Sequence, residues 1–132
     1  LLGLAVLLWV AGFDVIYACQ DREHDLGAGL HSIPARFGLE RALVIARILH
    51  FLAVVAMVLV GYSAGLGLIY WLGVGGIAGL LLYEHRLVRP DDLTRVNMAF
   101  FNLNALISVL YLVFTLADLL VLGESRVLWR VS

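Results

Sequence analysis

Residues 1–25 read LLGLAVLLWVAGFDVIYACQDREHD. The stretch from Leu1 to about Cys19 is apolar except for Asp14, and an acidic cluster follows with Asp21, Glu23 and Asp25. A bilayer's hydrocarbon core takes about 20 apolar residues per helix. The opening run therefore reads as a membrane helix that ends in carboxylates. It begins Leu1-Leu2 with no Met, no basic residues ahead of the apolar run and no small-residue cleavage pattern after it. It is read as the interior of a membrane helix, not a signal peptide, and the chain as the C-terminal part of something longer.

The rest of the sequence supports lipid as the solvent. Hydrophobic residues make up 63% and charged residues 14%, with a mean hydropathy of +1.00. Soluble domains are closer to half apolar and a quarter charged. Three further apolar spans stand out, at about Ala42–Tyr62, Leu66–Tyr83 and Val96–Leu122. No alternation of the barrel-strand kind appears. The expectation is an all-α, polytopic bundle of about four transmembrane helices. Net charge is −1 and no basic stripe is present, so nucleic acid is not expected as a partner. Cys19, the one cysteine, reads as a small buried apolar residue.

The connections give orientation. The Gln20–Arg41 and Glu84–Arg95 connections carry Arg22, Arg36, Arg41, Arg86, Arg89 and Arg95, whereas the opposite side has the uncharged turn Ser63–Gly65 and the tail arginines Arg126 and Arg130. This bias puts the aspartate side in the cytoplasm. Pro34 lies in the long connection, and Gly38 is placed to end a short helix after Ser32. Pro90 stops the third span, and Asp91 and Asp92 then suit the dipole at the start of the last helix. Gly61/Gly65 and Gly75/Gly79 have the spacing of close helix contacts in lipid.

If helical rotation continues through Asp25, then Asp14, Tyr17, Asp21 and Asp25 fall within an arc of about 80°. Carboxylates at i and i+4 repel each other without compensation. An ionisable group inside an apolar span, such as Asp14, is a functional-site hypothesis by default. A divalent cation with oxygen ligands resolves both problems, and Mg²⁺ commonly sits between one or two carboxylates and substrate phosphates. A solvated loop of exchangeable ion pairs fits the string DREHD as well. Asn97, Phe101, Asn104 and Ser108 share a face of the last helix by spacing, either lining a cavity or bonding to neighbouring helices. His50, Glu84 and His85 are equally open, and Asp118 has no assignment.

At these residues the sequence resembles the UbiA superfamily of membrane prenyltransferases, within it the 4-hydroxybenzoate polyprenyltransferase-like group. The match is to its second aspartate-rich motif, here Asp14-x-x-Tyr17-x-x-x-Asp21-x-x-x-Asp25, continued by Gly29-Leu-His-Ser-Ile-Pro-Ala-Arg-Phe-Gly38. The segment Tyr83–Asn104 resembles the last-helix region of the same group, and the likeness runs to about Leu120. The resemblance implies a nine-helix bundle around a cavity, with these spans as its last four. It implies two aspartate-rich motifs that bind Mg²⁺ and the diphosphate of a polyprenyl donor. Only the second is in this sequence, so the first belongs to a preceding, missing N-terminal half. Asp21 and Asp25 are then Mg²⁺ ligands, and Asp14 and Tyr17 the catalytic pair in the polar cavity. Arg22, Asn97 and Asn104 are substrate-binding candidates. The implied reaction prenylates an aromatic acid in quinone biosynthesis, in a bacterial inner membrane. Tyr17, Phe100, Phe101 and Tyr111 are candidates to face an allylic cation. The contrasting expectation is an ion-coupled transporter subunit with Asp14 as its intramembrane carboxylate.

Overall fold

The computed structural model describes the backbone of residues 1–128 and the side chains of residues 1–121. The side chains of Arg126 and Arg130, which entered the orientation argument, lie outside the described residues. The described part is helical: α1 (Leu2–Ala18), α2 (Arg22–Gly27), α3 (Ile33–Phe37), α4 (Leu39–Ala64), α5 (Leu68–Leu87), a π-helical turn at Met98–Leu103, and α6 (Asn104–Leu128). Three helical stretches, Leu39–Ala64, Leu68–Leu87 and Met98–Val121, are long and apolar enough to cross a membrane, and α1 is a shorter apolar helix. The chain is an integral membrane helix bundle.

Helix ends follow their sequence signals. The Ser32 hydroxyl accepts from the Ala35 backbone N–H at 3.3 Å, so Ser32 caps α3, whose second residue is Pro34. Gly38, at φ 83°, ends α3 and starts α4. At the far end of α4, Gly65 adopts φ 61° while the Leu66 N–H reaches back to the Gly61 carbonyl at 2.9 Å. That left-handed closure favours glycine. Asp91 and Asp92 depart from expectation. Helical residues resume only at Val96, and no acid lies in the first turn of the stretch that opens at Met98. Asp92 instead accepts from the Thr94 hydroxyl at 2.6 Å and the Thr94 N–H at 3.0 Å. These bonds favour the charged form and hold its carboxyl below the ordinary range.

The core forms two layers. One gathers Trp9, Phe13, Met57, Tyr70, Ile77 and Ile107. The other, towards the acidic connection, gathers Ile16, Cys19, Leu43, Val88, Val96 and Leu103. Ala42, Ala46, Ala53 and Ala56 are buried on α4, and small residues let helix backbones approach in lipid. The glycine pair at Gly75 and Gly79 makes no close helix contact among the described residues, where nothing lies within 4 Å of a side chain built at either position. The close approaches are elsewhere: Gly73 faces Phe114, Gly61 faces Tyr70 and Trp71, and Gly12 faces the His50 ring.

Asp118 is almost fully buried. Its carboxylate accepts from the Gly67 N–H at 2.7 Å and the Tyr70 N–H at 3.2 Å. α6 thus supplies the cap that α5 lacks in its own sequence. Those first N–H groups have no partner within the helix.

Two outcomes follow for the full-length protein in detergent. Gly12→Ala should lower stability by about 1–3 kcal/mol, the usual cost of overpacking. In a His50→Ala background the same change should cost far less, because the ring it meets is gone. Additive effects in thermal unfolding would refute this contact. Asp118→Ala should cost about 1–2 kcal/mol, as lost caps do, with faster amide exchange at the start of α5. An unchanged exchange rate there would contradict the capping role.

Candidate functional site

α1 does not run straight into the acidic cluster. Its end tightens, with Cys19, Gln20 and Asp21 N–H groups bonding to Ile16, Tyr17 and Ala18 carbonyls at 3.2, 3.1 and 3.2 Å. These are i→i−3 bonds, wound more tightly than the α-helical spacing assumed from sequence. α2 then starts afresh at Arg22, with the Asp25 N–H bonded to the Asp21 carbonyl at 2.8 Å. The consequence is a division among the four predicted side chains. Asp14 and Asp21 are exposed, Tyr17 is half-buried, and Asp25 is buried at 9% exposure. The continuous helix expected through Asp25, and the single face derived from it, are replaced by a helix–turn–helix.

The connection after the cluster is held in shape by backbone and guanidinium. Gly29, at φ 68°, closes α2, with the Leu30 N–H bonded to the Asp25 carbonyl at 2.8 Å. Arg22 Nε donates to the Pro34 carbonyl at 3.1 Å, joining α2 to α3. This gives Arg22 a bracing contact as well as a charge. A hollow of about 550 Å³ opens here, lined by Leu26, Gly29, Leu30, His31, Ala35 and Arg36. His24 and His31 are both exposed.

Aromatic rings gather near the end of α1. Tyr17 packs on Phe100 at 4.5 Å between centroids and on Phe101 at 6.3 Å. Phe100 also meets Phe101 at 4.9 Å and Phe13 at 6.5 Å. Of the aromatic candidates, Tyr17, Phe100 and Phe101 therefore come together. Tyr111 lies apart, its hydroxyl 3.3 Å from that of Tyr70.

The π-helical turn Met98–Leu103 changes the reading of the last helix. A π turn is wider than an α turn, so α-helical spacing does not carry across it. Asn97 precedes the turn and is exposed, while Asn104 follows it and is half-buried. The Ser108 hydroxyl donates to the Asn104 carbonyl at 2.9 Å. Such turns are frequent at functional sites, and this one carries Phe100 and Phe101 to Tyr17.

A second polar group is buried away from the acidic end. His50 Nε2 donates to the Trp9 carbonyl at 3.2 Å, and Nδ1 lies 3.0 Å from His85 Nε2. Since a carbonyl can only accept, a neutral His50 receives the His85 N–H at Nδ1. Glu84 is fully buried. Its Oε2 is 3.5 Å from His50 Nδ1, and neither oxygen has a hydrogen-bond partner among the described residues. No spacing rule links positions 12, 50 and 85, so sequence could not have assembled this group.

Among the described residues no set of three or more His, Cys, Asp or Glu gathers as a metal cluster. The donor set at the acidic end is therefore at most partial, with Asp21 outward, Asp25 mostly covered and Asp14 further up α1.

The UbiA prenyltransferase family model matches residues 1–122. The chain belongs to the UbiA prenyltransferase family. It is 35% identical over 120 residues to a 4-hydroxybenzoate octaprenyltransferase from Sodalis glossinidius, covering 91% of this chain and 41% of that protein. It is 38% identical over 104 residues to the protein of that name from Marinobacter nauticus, covering 79% of this chain and 35% of that one. A protein of the same name from Nitrosospira multiformis is 38% identical over 101 residues, or 76% of this chain and 34% of its own length. The chain thus spans well under half the length of these relatives. No solved structure matches it.

Arg22→Ala should free α3 from α2. The expected result is a roughly tenfold rise in amide exchange at residues 35–38, in line with losing a hydrogen bond to a charged donor. Unchanged exchange would mean that the Pro34 contact contributes nothing.

Proposed function

We propose that this chain is the C-terminal part of a UbiA-type prenyltransferase domain, spanning residues 1–132. The activity proposed for the whole protein is Mg²⁺-dependent transfer of a polyprenyl group from an isoprenyl diphosphate to a 4-hydroxybenzoate-like aromatic acid. Such a product serves ubiquinone or menaquinone biosynthesis. The observation that carries the reading is that Tyr17, which lies between exposed Asp14 and Asp21 in the chain, packs on Phe100 and Phe101. That arrangement sets carboxylates for a cation–phosphate head beside rings for an apolar, cationic carbon. The relatives' names supply the donor and acceptor classes.

The acidic residues fit Mg²⁺ as half of a site. One or two carboxylates suffice when phosphate and water complete the shell. Asp21 and Asp25 are the proposed ligands, with Asp25 needing only a free edge of its carboxylate. Bound Mg²⁺ would neutralise charge on the departing diphosphate. The chain's own residues do the remaining work. Arg22 holds α2 on α3 and keeps the Asp21–Asp25 spacing. Tyr17 is placed by Phe100 between the acids and the aromatic wall. Phe100 and Phe101 offer π faces to a developing allylic cation and keep water from it. Asn97 and Asn104, on either side of the π turn, are the proposed polar contacts for the substrates. Asp14 is the proposed catalytic carboxylate beside the acceptor. The missing N-terminal half would bring the first aspartate-rich motif to the open side of Asp14 and Asp21. The arginine bias supports a cytoplasmic placement of this end, and a bacterial inner membrane is the proposed location. The carrier reading draws no support, since Asp14 is exposed and the relatives' names are those of transferases.

Asp21→Ala in the full-length protein should reduce prenyl transfer to 4-hydroxybenzoate by roughly a hundredfold or more, as loss of a charge-stabilising metal ligand implies. Its thermal unfolding should stay near that of the parent. Chelation should stop transfer and added Mg²⁺ restore it. Transfer at the parent rate in a folded Asp21→Ala protein would refute the ligand assignment.

A further inference from the structure

The outer face of the α4–α5 pair carries a groove that the proposed reaction does not use. Its volume is about 450 Å³, and Arg47, His85 and Arg86 are among its lining residues. Phe51, Val54 and Leu82 continue it as an apolar trough. Phe51 and Leu82 are 67% and 66% exposed. Both arginines are exposed, and the one approach of a basic side chain to a carboxylate within 4 Å among the described residues is His50 with Glu84, so neither guanidinium has a carboxylate partner there.

The levels of these groups are informative. Arg86 is next to the last residue of α5, whereas Arg47 lies eight residues into α4, or about 12 Å along it. Both line one groove, so the first turns of α4 overhang the end of α5. The two charges therefore share one level, at the end of the bundle that carries the acidic connection, with the apolar trough running down from them. Unpaired arginines at headgroup level beside an apolar channel have the charge and length pattern of a phospholipid. Two cations favour a net anionic head over a zwitterionic one. The groove is built by α4 and α5 alone, whereas Asp14, Tyr17 and Phe101 belong to α1 and the π turn. The face on which a partner aspartate motif is needed is thus not this one.

We propose that the α4–α5 groove is a binding site for an anionic phospholipid, with its phosphate between Arg47 and Arg86 and an acyl chain along Phe51, Val54 and Leu82. The site is separate from the prenyl-transfer site and does not depend on that assignment.

The test uses full-length protein, delipidated in detergent. It is titrated with dioleoylphosphatidylglycerol and, separately, dioleoylphosphatidylcholine, with bound lipid counted by native mass spectrometry. The glycerol lipid should be retained in preference. The double variant Arg47→Gln/Arg86→Gln should weaken its binding on the order of tenfold. Ala78→Trp, which fills the trough without altering charge, should weaken both lipids. Millimolar inorganic phosphate should not displace the lipid, because it lacks the chain. Undiminished phosphatidylglycerol binding by the arginine variant would overturn the proposal, as would displacement by phosphate. A membrane-soluble maleimide that fails to reach Ala78→Cys in lipid-free protein would also overturn it, since a second copy or the rest of the chain would then cover the groove.

Discussion

The bundle depends on one imidazole. In lipid no water compensates a buried polar group, so each needs a partner in the chain. His50 meets that requirement by joining three helices, through the Trp9 carbonyl of α1 and His85 of α5. The ring fits only because residue 12 has no side chain. A glycine on one helix thus permits a polar contact on another, and the small residues of α4 extend the same close approach along α1. The outlying member is Glu84, whose oxygens lack hydrogen bonds among the described residues even though His50 lies 3.5 Å away. A carboxyl kept in this position is costly when charged.

With α1 fixed on α4, the acidic end has little freedom. α1 must stop near Ala18 because the chain has to turn and return as α4. The tightened turn, the Arg22–Pro34 bond and the Ser32 cap achieve that reversal within α2 and α3. The same reversal sorts the aspartates, leaving Asp14 and Asp21 outward and drawing Asp25 inward. The shape of the site is therefore a product of chain reversal as much as of the spacing between acids.

Much of this was legible in sequence, and the failures have a common cause. Apolar length gave the spans, and Ser32, Pro34, Gly38 and Gly65 gave helix ends, since each signal acts within a few residues. The family resemblance rested on local motifs and holds across residues 1–122. What misled was the assumption of uniform α-helical rotation. It failed at Cys19–Asp21, where the helix overwinds, and at Met98–Leu103, where it underwinds. Neither departure leaves a composition mark. Long-range pairings such as Gly12 with His50, or Asp118 with Gly67, were equally hidden, because they depend on which helices become neighbours. The glycine spacing at Gly75 and Gly79 was a real pattern with no partner among the described residues.

The aspartates at the two ends of the bundle show what separates a structural carboxylate from a chemical one. Asp118 is buried, yet its charge is met by backbone N–H groups at the start of α5. Removing it would orphan those donors, so its role is fixed by the fold. Asp14 and Asp21 are exposed and receive no hydrogen bond among the described residues. A carboxylate that the fold neither covers nor satisfies is free to take a ligand. Membrane insertion makes that freedom expensive for Asp14, which lies within an apolar helix. Its place is best explained if the charge is compensated from outside this chain, by substrate, cation or the facing motif.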